Sequence, residues 1–436
     1  MKVHRFLLLM AIALVLLVSG CGGGGPSLTA GGGSGGGTGG GSGGGTGGSG
    51  GGSTNNVAPL VVDSGPSSLI LTGQADQDLA FTTITICVPG STTSCQTIDH
   101  VQVDTGSVGL RIPAQVLTLT LPQQTSGANT IFDCVQFVDA TFIWGPVASA
   151  DIQIAGEAAK SVPVQIANNS TPPASCGTTG QIATVADLGA NAILGVGPFL
   201  QDATAYFSCS GSACIGFTQP AASQLQNPVA MFATDNNGVI LQLPAVSDTG
   251  QATDTGNLIF GIGTQSNNGL GSAVVLPINP NTGLFAANFN GVLYNDATGH
   301  GSGGSGGSSV IDSGSNGFFF LDSATLTNQF LINMPDCPSS GNAKGFYCPA
   351  SVTPISVNVI GEGSSGTPSG SARTITFNVA NASTLFQTSG LFVFNDVGGP
   401  NSNSFDFGLP FFLGKTVFTA FAGRSTPSGT GPYFAF

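Results

Sequence analysis

Two short runs of the sequence share one pattern, in which a β-branched apolar segment leads into an aspartate, a hydroxyl residue and a glycine. Residues 101–107 contain Asp104, and residues 309–315 contain Asp312, which lies 208 residues later. A second apolar run follows each of them, as expected for a strand–turn–strand unit. Two such units can bring two carboxylates to one point, where a shared proton lets one act as base and the other as acid on a water. We therefore predict that Asp104 and Asp312 form a catalytic pair.

Three further Asp-Thr/Ser-Gly triplets occur, at Asp63, Asp248 and Asp254. Asp248 and Asp254 lie in a polar stretch rich in Gly and Thr with no strand leading in, and Pro66, after the glycine of the Asp63 triplet, interrupts pairing. Aspartate and glycine are ordinary turn residues, so we interpret these three triplets as turns. For the two catalytic candidates, a pair of similar hairpin turns is the alternative.

The composition favours strands and argues against a nucleic-acid partner. The chain has 436 residues, 41% of them hydrophobic, which is enough for two or three domain-sized units. Charged residues make up only 7%, and the abundance of Val, Ile, Thr, Phe and Gly favours strands and turns. The net charge is −13 with eight Lys and Arg, and binding to phosphates needs clustered bases. We expect an all-β protein that does not bind nucleic acid.

Residues 1–20 are typical of an export signal: Lys2 and Arg5 precede an apolar run, and residues 18–21, Val-Ser-Gly-Cys, resemble the lipobox of bacterial lipoproteins. This resemblance implies that Cys21 is lipidated and anchors the protein to a membrane of the bacterial cell envelope. Gly22 after it favours the outer membrane. Residues 21–56 would then be the lipidated cysteine with a disordered Gly/Ser/Thr-rich tether that spans roughly 30 Å. An ordinary signal peptide with an incidental cysteine is the alternative.

Beyond Cys21 the chain contains eight cysteines, and an even number in an exported protein indicates disulfides. Three pairs are close in sequence and are expected to close hairpins or loops, which leaves Cys134 with Cys176. The three are Cys87–Cys95, Cys209–Cys214 and Cys337–Cys348. Zinc is the alternative, but two histidines in the mature chain and no C-x-x-C pair argue against it. We expect no metal and no cofactor.

Several segments, in this order, resemble the pepsin-like aspartic peptidases. They are an opening hairpin at 81–86 and 100–104, a first catalytic loop at 104–113, an apolar-apolar-Gly segment at 191–197, a strand pair at 256–261 and 274–278, a second loop at 312–315, and residues 407–412 leading into 416–418. The resemblance covers about residue 57 to the C-terminus. It implies an all-β, bilobal pepsin-like fold with a cleft between an N-terminal lobe, residues 57–250, and a C-terminal lobe, residues 251–436.

The resemblance also implies roles for the residues of the two loops. Thr105 and Ser313 would lock the loops together through their hydroxyls, whereas Ser107 and Ser315 would hydrogen-bond the carboxylates. The complete loops are Asp104, Thr105, Gly106 and Ser107 in the first half and Asp312, Ser313, Gly314 and Ser315 in the second.

The first half departs from the family at the catalytic loop and at the flap. Gly109 and Arg111 stand where the family usually has Asn and Trp, and Arg111 is a candidate for the substrate cleft. Residues 142–146, Phe-Ile-Trp-Gly-Pro, replace the usual Tyr-Gly-Thr-Gly of the flap, which makes Trp144 and Gly145 the flap candidates. A cation–π contact of Arg111 with Trp144 would fit this role. Burial of Trp144 in the core is the alternative.

The second half departs from the family near its C-terminus. Asp406 lies within the apolar-apolar-Gly segment, and Leu409 stands where the family usually has an aspartate. Asp406 to Gly408 also spells a triplet of protein kinases, but the accompanying kinase loops are missing, so that match is chance.

Together these residues predict an envelope-anchored aspartic endopeptidase that works as a monomer on peptide or protein substrates. Both aspartates, both following hydroxyl residues and both glycines are intact, which favours an enzyme. If the activity had been lost, nothing would require these residues to stay as they are. The altered flap favours the alternative, a non-catalytic ligand- or protein-binding lipoprotein on a pepsin-like scaffold. A purely structural surface protein is the third possibility.

Overall fold

Strands dominate the computed structural model, which describes residues 56–71, 75–137, 140–297, 307–402 and 404–436. The predicted all-β class is confirmed. The expected signal peptide, Cys21 and nearly all of the tether lie outside the described residues. The helices of the described ranges are α1 (Ser67–Leu71), α2 (Val185–Leu188), α3 (Ser323–Phe330) and α4 (Ala382–Leu385), with 3₁₀ turns at Ala114–Val116, Ala221–Ser223, Val229–Met231 and Leu409–Phe411. None of these helices is long and apolar enough to cross a membrane.

All strands described in the first half belong to one large sheet. They are β1 (Val57–Val62), β2 (Ala80–Cys87), β3 (Cys95–Asp104), β4 (Val108–Pro113), β5 (Thr125–Ser126), β6 (Asn129–Gln136), β7 (Phe142–Ile154), β8 (Glu157–Ala167), β9 (Gln181–Ile182), β10 (Ala192–Val196), β11 (Ala205–Ser210), β12 (Ala213–Phe217) and β13 (Gly238–Leu243). Every residue of β4 and β10 is buried. Continuous burial is typical of strands that are covered on both faces, and these two strands lie directly behind the first Asp loop.

In the part of the second half that the structure describes, the chain continues the large sheet and adds three smaller ones. The strands of this part are β14 (Asp254–Phe260), β15 (Val275–Pro277), β16 (Ala286–Phe289), β17 (Val292–Tyr294), β18 (Val310–Ile311), β19 (Phe318–Phe320), β20 (Thr353–Ile360), β21 (Arg373–Val379), β22 (Gly398–Gly399), β23 (Phe405–Phe407), β24 (Lys415–Ala420), β25 (Ser425–Thr426), β26 (Gly429–Thr430) and β27 (Tyr433–Ala435). Strands β14, β15, β24 and β27 join the large sheet. Strands β18, β19, β22 and β23 form the sheet that carries Asp312.

The two halves of the chain share the large sheet. Strand β13 pairs with β14 and with β24, so that Val239 lies opposite Phe260 on one side and Thr419 on the other. Strand β1 pairs with the other edge of β14. The boundary expected near residue 250 therefore falls in the connection between two neighbouring strands, and the division into two lobes stays a prediction.

Phenylalanines fill the core beneath the second Asp loop. Phe318 of β19 stacks on Phe377 of β21, with ring centroids 4.1 Å apart, and Phe320 stacks on Phe405 of β23 at 5.8 Å. Strand β20 alternates buried and exposed residues, which is typical of a sheet with one face on the core and one in water. The aromatic layer thus stabilises the short strands around Asp312, because each buried ring removes a large apolar surface from water.

Four disulfides join the eight cysteines in the predicted pairs. Cys87–Cys95 connects β2 with β3, and Cys209–Cys214 connects β11 with β12. The other two are Cys134–Cys176 and Cys337–Cys348. The prediction from the cysteine spacing is confirmed.

Candidate active site

The first Asp loop lies between β3, which ends at Asp104, and β4, which begins at Val108. Strand β10 is inserted behind it, parallel to β3 and antiparallel to β4, with Gly195 opposite Asp104. A Cβ atom on Gly195 would lie 2.6 Å from the amide nitrogen of Val108. Only glycine allows this close approach of two backbones, so the apolar-apolar-Gly sequence is what positions β10 behind the loop.

The second Asp loop repeats this arrangement. Strand β23 is parallel to β18 and antiparallel to β19, and its Phe407 lies opposite both Ile311 and Phe318. A Cβ atom on Gly408, the next residue, would lie 2.5 Å from the carbonyl oxygen of Ser315. Both loops are therefore held by the same three-strand arrangement, one in each half of the chain.

The hydroxyls of Thr105 and Ser313 connect the two loops. The amide of Thr105 donates to Ser313 Oγ over 3.1 Å, and the amide of Ser313 donates to Thr105 Oγ1 over 2.9 Å. Each hydroxyl also donates to the other loop: Thr105 to the carbonyl of Ile311 and Ser313 to that of Val103. Because each hydroxyl uses both its hydrogen and a lone pair, the loops are fixed against each other by four buried hydrogen bonds.

The carboxyls of Asp104 and Asp312 are completely buried and have similar surroundings. The amide of Gly106 donates to Asp104 Oδ1 over 2.8 Å, and the amide of Gly314 donates to Asp312 Oδ1 over 2.7 Å. On the opposite oxygens, Ser107 Oγ donates to Asp104 Oδ2, and Ser315 Oγ lies 3.0 Å from Asp312 Oδ2. Each carboxyl is thus held in the same way, with one oxygen against the glycine amide of its loop and the other against the serine hydroxyl.

The two carboxyls perturb each other's ionisation. Burial raises the pKa of Asp104, although hydrogen bonds from Ser107 and Gly106 partly oppose it. Burial raises the pKa of Asp312 well above its usual range, and the negative charge of Asp104 raises it further. Two buried carboxyls in contact cannot both ionise easily. The pair therefore favours a form in which the two carboxyls share one proton.

A third carboxyl, Asp406 of β23, reaches the same place. Ser315 Oγ lies 2.6 Å from Asp406 Oδ2, so this hydroxyl contacts both Asp406 and Asp312. Asp406 is 2% exposed, and within the described ranges its Oδ1 has no hydrogen-bond partner. In the sequence Asp406 is a departure from the family pattern, and its place in the site was not predicted. An aspartate inside an apolar strand was the signal that could have identified it, because buried acids need a specific partner.

Arg111 lies behind the first loop and is 1% exposed. Its guanidinium forms ion pairs with Asp202 and Asp133 and donates to the carbonyl of Val108. This placement differs from the expected position in a substrate cleft over Trp144. Two buried carboxylates attract the guanidinium more strongly than an aromatic face does, so Arg111 supports β4 from within the protein.

Trp144 lies on β7 and is 1% exposed. Its ring stacks on Phe132 with centroids 4.9 Å apart and meets the edge of Phe207 at 5.4 Å. A Cβ atom on Gly145, the other flap candidate, would overlap the carbonyl oxygen of Ile166 on the neighbouring strand. This is the core placement that the sequence left open, and it leaves the indole no surface for contact with a substrate.

The other Asp-Thr/Ser-Gly triplets lie apart from the pair. At Asp63, the amide of Gly65 donates to the carboxylate over 2.8 Å, as in an ordinary turn. Asp248 lies in a turn closed by a hydrogen bond from the amide of Gly250 to the carbonyl of Ser247. Asp254, which was also expected in a turn, is instead the first residue of β14.

The sequence profile of one protein family matches residues 52–436 and so includes both Asp loops and Asp406. The chain belongs to this family. Its description is "Protein of unknown function (DUF3443)". No curated protein matches the chain. The match to DUF3443 thus covers the whole described structure.

The sequence left zinc as the alternative to disulfides for the cysteines. In the ranges that the structure describes, no three His, Cys, Asp or Glu side chains are arranged to hold a metal ion.

Gln102 also connects the two Asp loops, since its side-chain amide donates to the carbonyl of Gly314 over 2.9 Å. It lies two residues before Asp104 and adds one more bond between the halves.

Proposed function

We propose that the chain is an aspartic endopeptidase with a pepsin-like, bilobal fold, in which Asp104 and Asp312 act on one water. The observation that carries this proposal is the reciprocal packing of the two carboxyls. A Cβ atom on Gly106 would lie 2.5 Å from Asp312 Oδ2, and one on Gly314 would lie 2.6 Å from Asp104 Oδ1. Each carboxyl thus lies against the glycine of the opposite loop, which brings both acids within reach of a single water.

In this mechanism the ionised carboxyl takes a proton from the water while the water oxygen attacks the peptide carbonyl carbon. The protonated carboxyl gives its proton to the carbonyl oxygen, which yields a tetrahedral diol. When the C–N bond breaks, the leaving nitrogen takes a proton from one carboxyl, and the other carboxyl takes a proton from the diol. An amine and a carboxylic acid leave, and the pair again holds one proton.

The surroundings of the two acids favour different roles. Asp104 accepts hydrogen bonds from two amides, those of Gly106 and Ser107, and from the Ser107 hydroxyl. Donors to a carboxylate stabilise the ionised form. Asp312 accepts from one amide, that of Gly314, and its Oδ2 lies 3.0 Å from the Ser315 hydroxyl, which also contacts Asp406. Burial, and in addition the charge of Asp104, raises the pKa of Asp312 well above its usual range. Asp104 is therefore the base and Asp312 the acid in the first step.

The proposal includes an anchor in the bacterial cell envelope, at the outer membrane, with a peptide or protein as substrate. Its support is the sequence of residues 1–21, in which an apolar run precedes Val-Ser-Gly-Cys. A lipidated Cys21 would need two acyl chains for stable binding, since one chain binds a membrane only reversibly.

One observation favours the second candidate function, a non-catalytic binding protein on the same scaffold. Neither Asp104 nor Asp312 has exposed surface, and Trp144 is packed in the core. A substrate could reach the pair only if the residues that cover it move aside. A binding protein would not need that movement.

The test is cleavage of a mixed peptide library by the purified full-length protein, followed by mass spectrometry from about pH 3 to about pH 7. We expect defined cleavage sites, and we expect Asp104→Asn and Asp312→Asn to reduce the rate by about 10²- to 10⁴-fold, because an amide cannot transfer the proton. Asp63→Asn is the matched control, since Asp63 is also followed by Ser-Gly and accepts from the glycine amide. A folded wild type that cleaves nothing and does not bind a hydroxyl-containing transition-state mimic would favour the binding protein.

A further inference from the structure

The two halves of the site differ at one position behind the serine of each loop. Ile193 lies two residues before Gly195 in the first half, and Asp406 lies two residues before Gly408 in the second. Both lie on the inserted strand at equivalent register positions, since Ile193 pairs with Gln102 of β3 and Asp406 pairs with Val310 of β18, each two residues before the loop aspartate. An apolar side chain in one half is thus replaced by a carboxyl in the other.

This difference changes what the serine hydroxyl can do. Ser315 Oγ lies 3.0 Å from Asp312 Oδ2 and 2.6 Å from Asp406 Oδ2, and both distances are within the range of O–H···O hydrogen bonds. A serine hydroxyl has one hydrogen, and ionised carboxylates are acceptors only. Both contacts can therefore be hydrogen bonds only if one of the two carboxyls carries a proton and donates it to Ser315 Oγ.

The charges around Asp406 indicate which carboxyl carries this proton. The charged groups that face it are Asp312 of the adjacent loop and Asp104 of the opposite loop, and both are acidic. Strand β19, which pairs with it, presents three phenylalanines. The positive charge of Arg111 acts on Asp104, where it opposes the rise in pKa that burial causes. An ionised Asp406, with its unpaired Oδ1, would thus add a second buried negative charge to the one that the Asp104–Asp312 pair already carries, which costs free energy.

Electrostatics support the same assignment. Burial raises the pKa of Asp406 well above its usual range, and the charge of Asp104 raises it further. The contact with the Ser315 hydroxyl opposes this shift of the Asp406 pKa without reversing it.

We propose that Asp406 is a positioning residue for the pair: it stays protonated, donates to Ser315 Oγ, and so directs the single hydrogen of Ser315 to Asp312 Oδ2. The catalytic consequence rests on the proposed peptidase function, whereas the protonation of Asp406 does not. In the active form, two protons are distributed over three carboxyls. One is shared by Asp104 and Asp312, and the other is held by Asp406.

The first experiment measures the proton of Asp406 directly by infrared spectroscopy of the full-length protein near neutral pH. A protonated carboxyl has a carbonyl stretch that is separate from the bands of a carboxylate. The difference spectrum between wild type and Asp406→Asn should show the loss of one such carbonyl band. Asp151→Asn is the control: two amides and Lys160 lower the pKa of Asp151, so its replacement should remove carboxylate bands only.

The second experiment uses the pH profile of peptide cleavage, where the sign of the shift separates the two protonation states. If Asp406 is neutral, Asp406→Asn preserves both the charge and a donor to Ser315, so the acid limb stays in place and the alkaline limb stays or moves to higher pH. If Asp406 is ionised, its replacement removes a negative charge near the pair, which lowers the pKa of both members and moves both limbs to lower pH. We expect the first result.

Asp406→Leu tests the hydrogen bond separately, because leucine fills the position without a donor, as Ile193 does in the first half. We expect kcat to fall by about 2- to 10-fold relative to Asp406→Asn, the range expected for one hydrogen bond, with KM unchanged. Equal kcat values for the two variants would overturn the positioning role.

The outcomes distinguish this inference from the proposed function. Absence of a carbonyl loss in Asp406→Asn, or a shift of both limbs to lower pH, would overturn the protonation of Asp406. If the wild type cleaves no peptide but the carbonyl band is lost, the peptidase function fails, and a protonated Asp406 remains established by the infrared result.

Discussion

Arg111 and Asp202 form a buried ion pair, with Arg111 Nη2 2.9 Å from Asp202 Oδ2 and the two side chains 1% and 0% exposed. Asp202 also accepts from the hydroxyl of Tyr206 over 2.7 Å. Because Arg111 lies on β4 and also donates to the carbonyl of Val108, the pair joins the strand that leaves the first Asp loop to the segment after β10. A buried pair of this kind fixes geometry, and breaking one side of it leaves an uncompensated charge.

We predict that Arg111→Met destabilises the protein by about 3–5 kcal/mol, because the buried carboxyl of Asp202 loses its cation and Asp133 loses the positive charge that opposes its raised pKa. Combining it with Asp202→Asn should recover part of this loss, since one of those acids is then neutral. Denaturant unfolding of both variants measures the difference. A single variant as stable as wild type would show that Asp133 and Asp202 are already neutral without the guanidinium.

We predict that stability decreases as pH rises from about 4 to about 8. Burial raises the pKa of Asp133 to about 8, with a further contribution from the charge of Asp202, and burial raises the pKa of Glu362 to about 7 and of Asp396 to about 6. An acid with a raised pKa in the folded state binds its proton more tightly there. Its contribution is therefore complete below the unfolded value near 4 and is lost as pH rises through the folded pKa. Melting temperatures across this range measure the slope.

Asp133→Asn is the matched variant for this slope, because it removes the most strongly shifted of these three acids. The free energy of unfolding of this variant should change less between about pH 4 and about pH 8 than that of the wild type. The difference should be about 1.4 kcal/mol for each unit of pKa shift that the substitution removes. A wild type whose melting temperature increases steadily toward pH 8 would contradict the prediction.

The connection between the loops gives a third prediction. Thr105→Val keeps the shape of the side chain but removes the acceptor of the Ser313 amide and the donor to the Ile311 carbonyl. Leaving buried groups unsatisfied should cost about 1–3 kcal/mol each. Thr105→Ser, which keeps the hydroxyl, should remain close to wild type. Thr85→Val is a second control, since Thr85 forms a hydroxyl contact with Thr97 at an exposed position.

Local patterns made some parts of the structure predictable. The apolar runs before Asp104 and Asp312 are strands that end at or next to the aspartates, as their β-branched sequences indicate. Cysteines 5 to 11 residues apart are joined because a short loop places them together. In each case the information lies within about ten residues of the chain.

Other parts depend on contacts between distant residues. Arg111 and Asp202 are 91 residues apart, and no local pattern selects Asp202 over Trp144 as the partner. Asp254 begins a strand although its neighbours are turn formers, because pairing with β1 and β13 overrides local preference. Trp144 belongs to a strand whose first seven residues are all buried. The strand therefore lacks the alternation of buried and exposed residues that would have indicated on which face of the sheet Trp144 lies.

The disulfides should differ in their contributions to stability. Cys134–Cys176 spans 42 residues of sequence and Cys209–Cys214 spans 5. In the loop-entropy description these separations correspond to about 4 and about 2 kcal/mol. Replacing each pair by alanines and measuring thermal unfolding should therefore show a larger loss for the first pair. Equal losses would indicate that the unfolded state is already compact around Cys134.

The last prediction separates a functional pair from a structural one. A buried acid with a raised pKa destabilises the folded protein at neutral pH, because it must either keep its proton or carry a charge without solvent. Asp312→Asn removes this penalty, and the amide can still donate to Asp104, so we expect stability at pH 7 to increase by about 1–3 kcal/mol while peptide cleavage is lost. Asp151→Asn should have the opposite effect on stability, because three donors, from Gly90, Lys160 and Ser161, favour the ionised form of Asp151. Denaturant unfolding and peptide cleavage of the same preparations measure both effects. A less stable Asp312→Asn would mean that the carboxyl is part of the fold's own hydrogen bonding, and the argument that a costly acid is present for its chemistry would no longer hold.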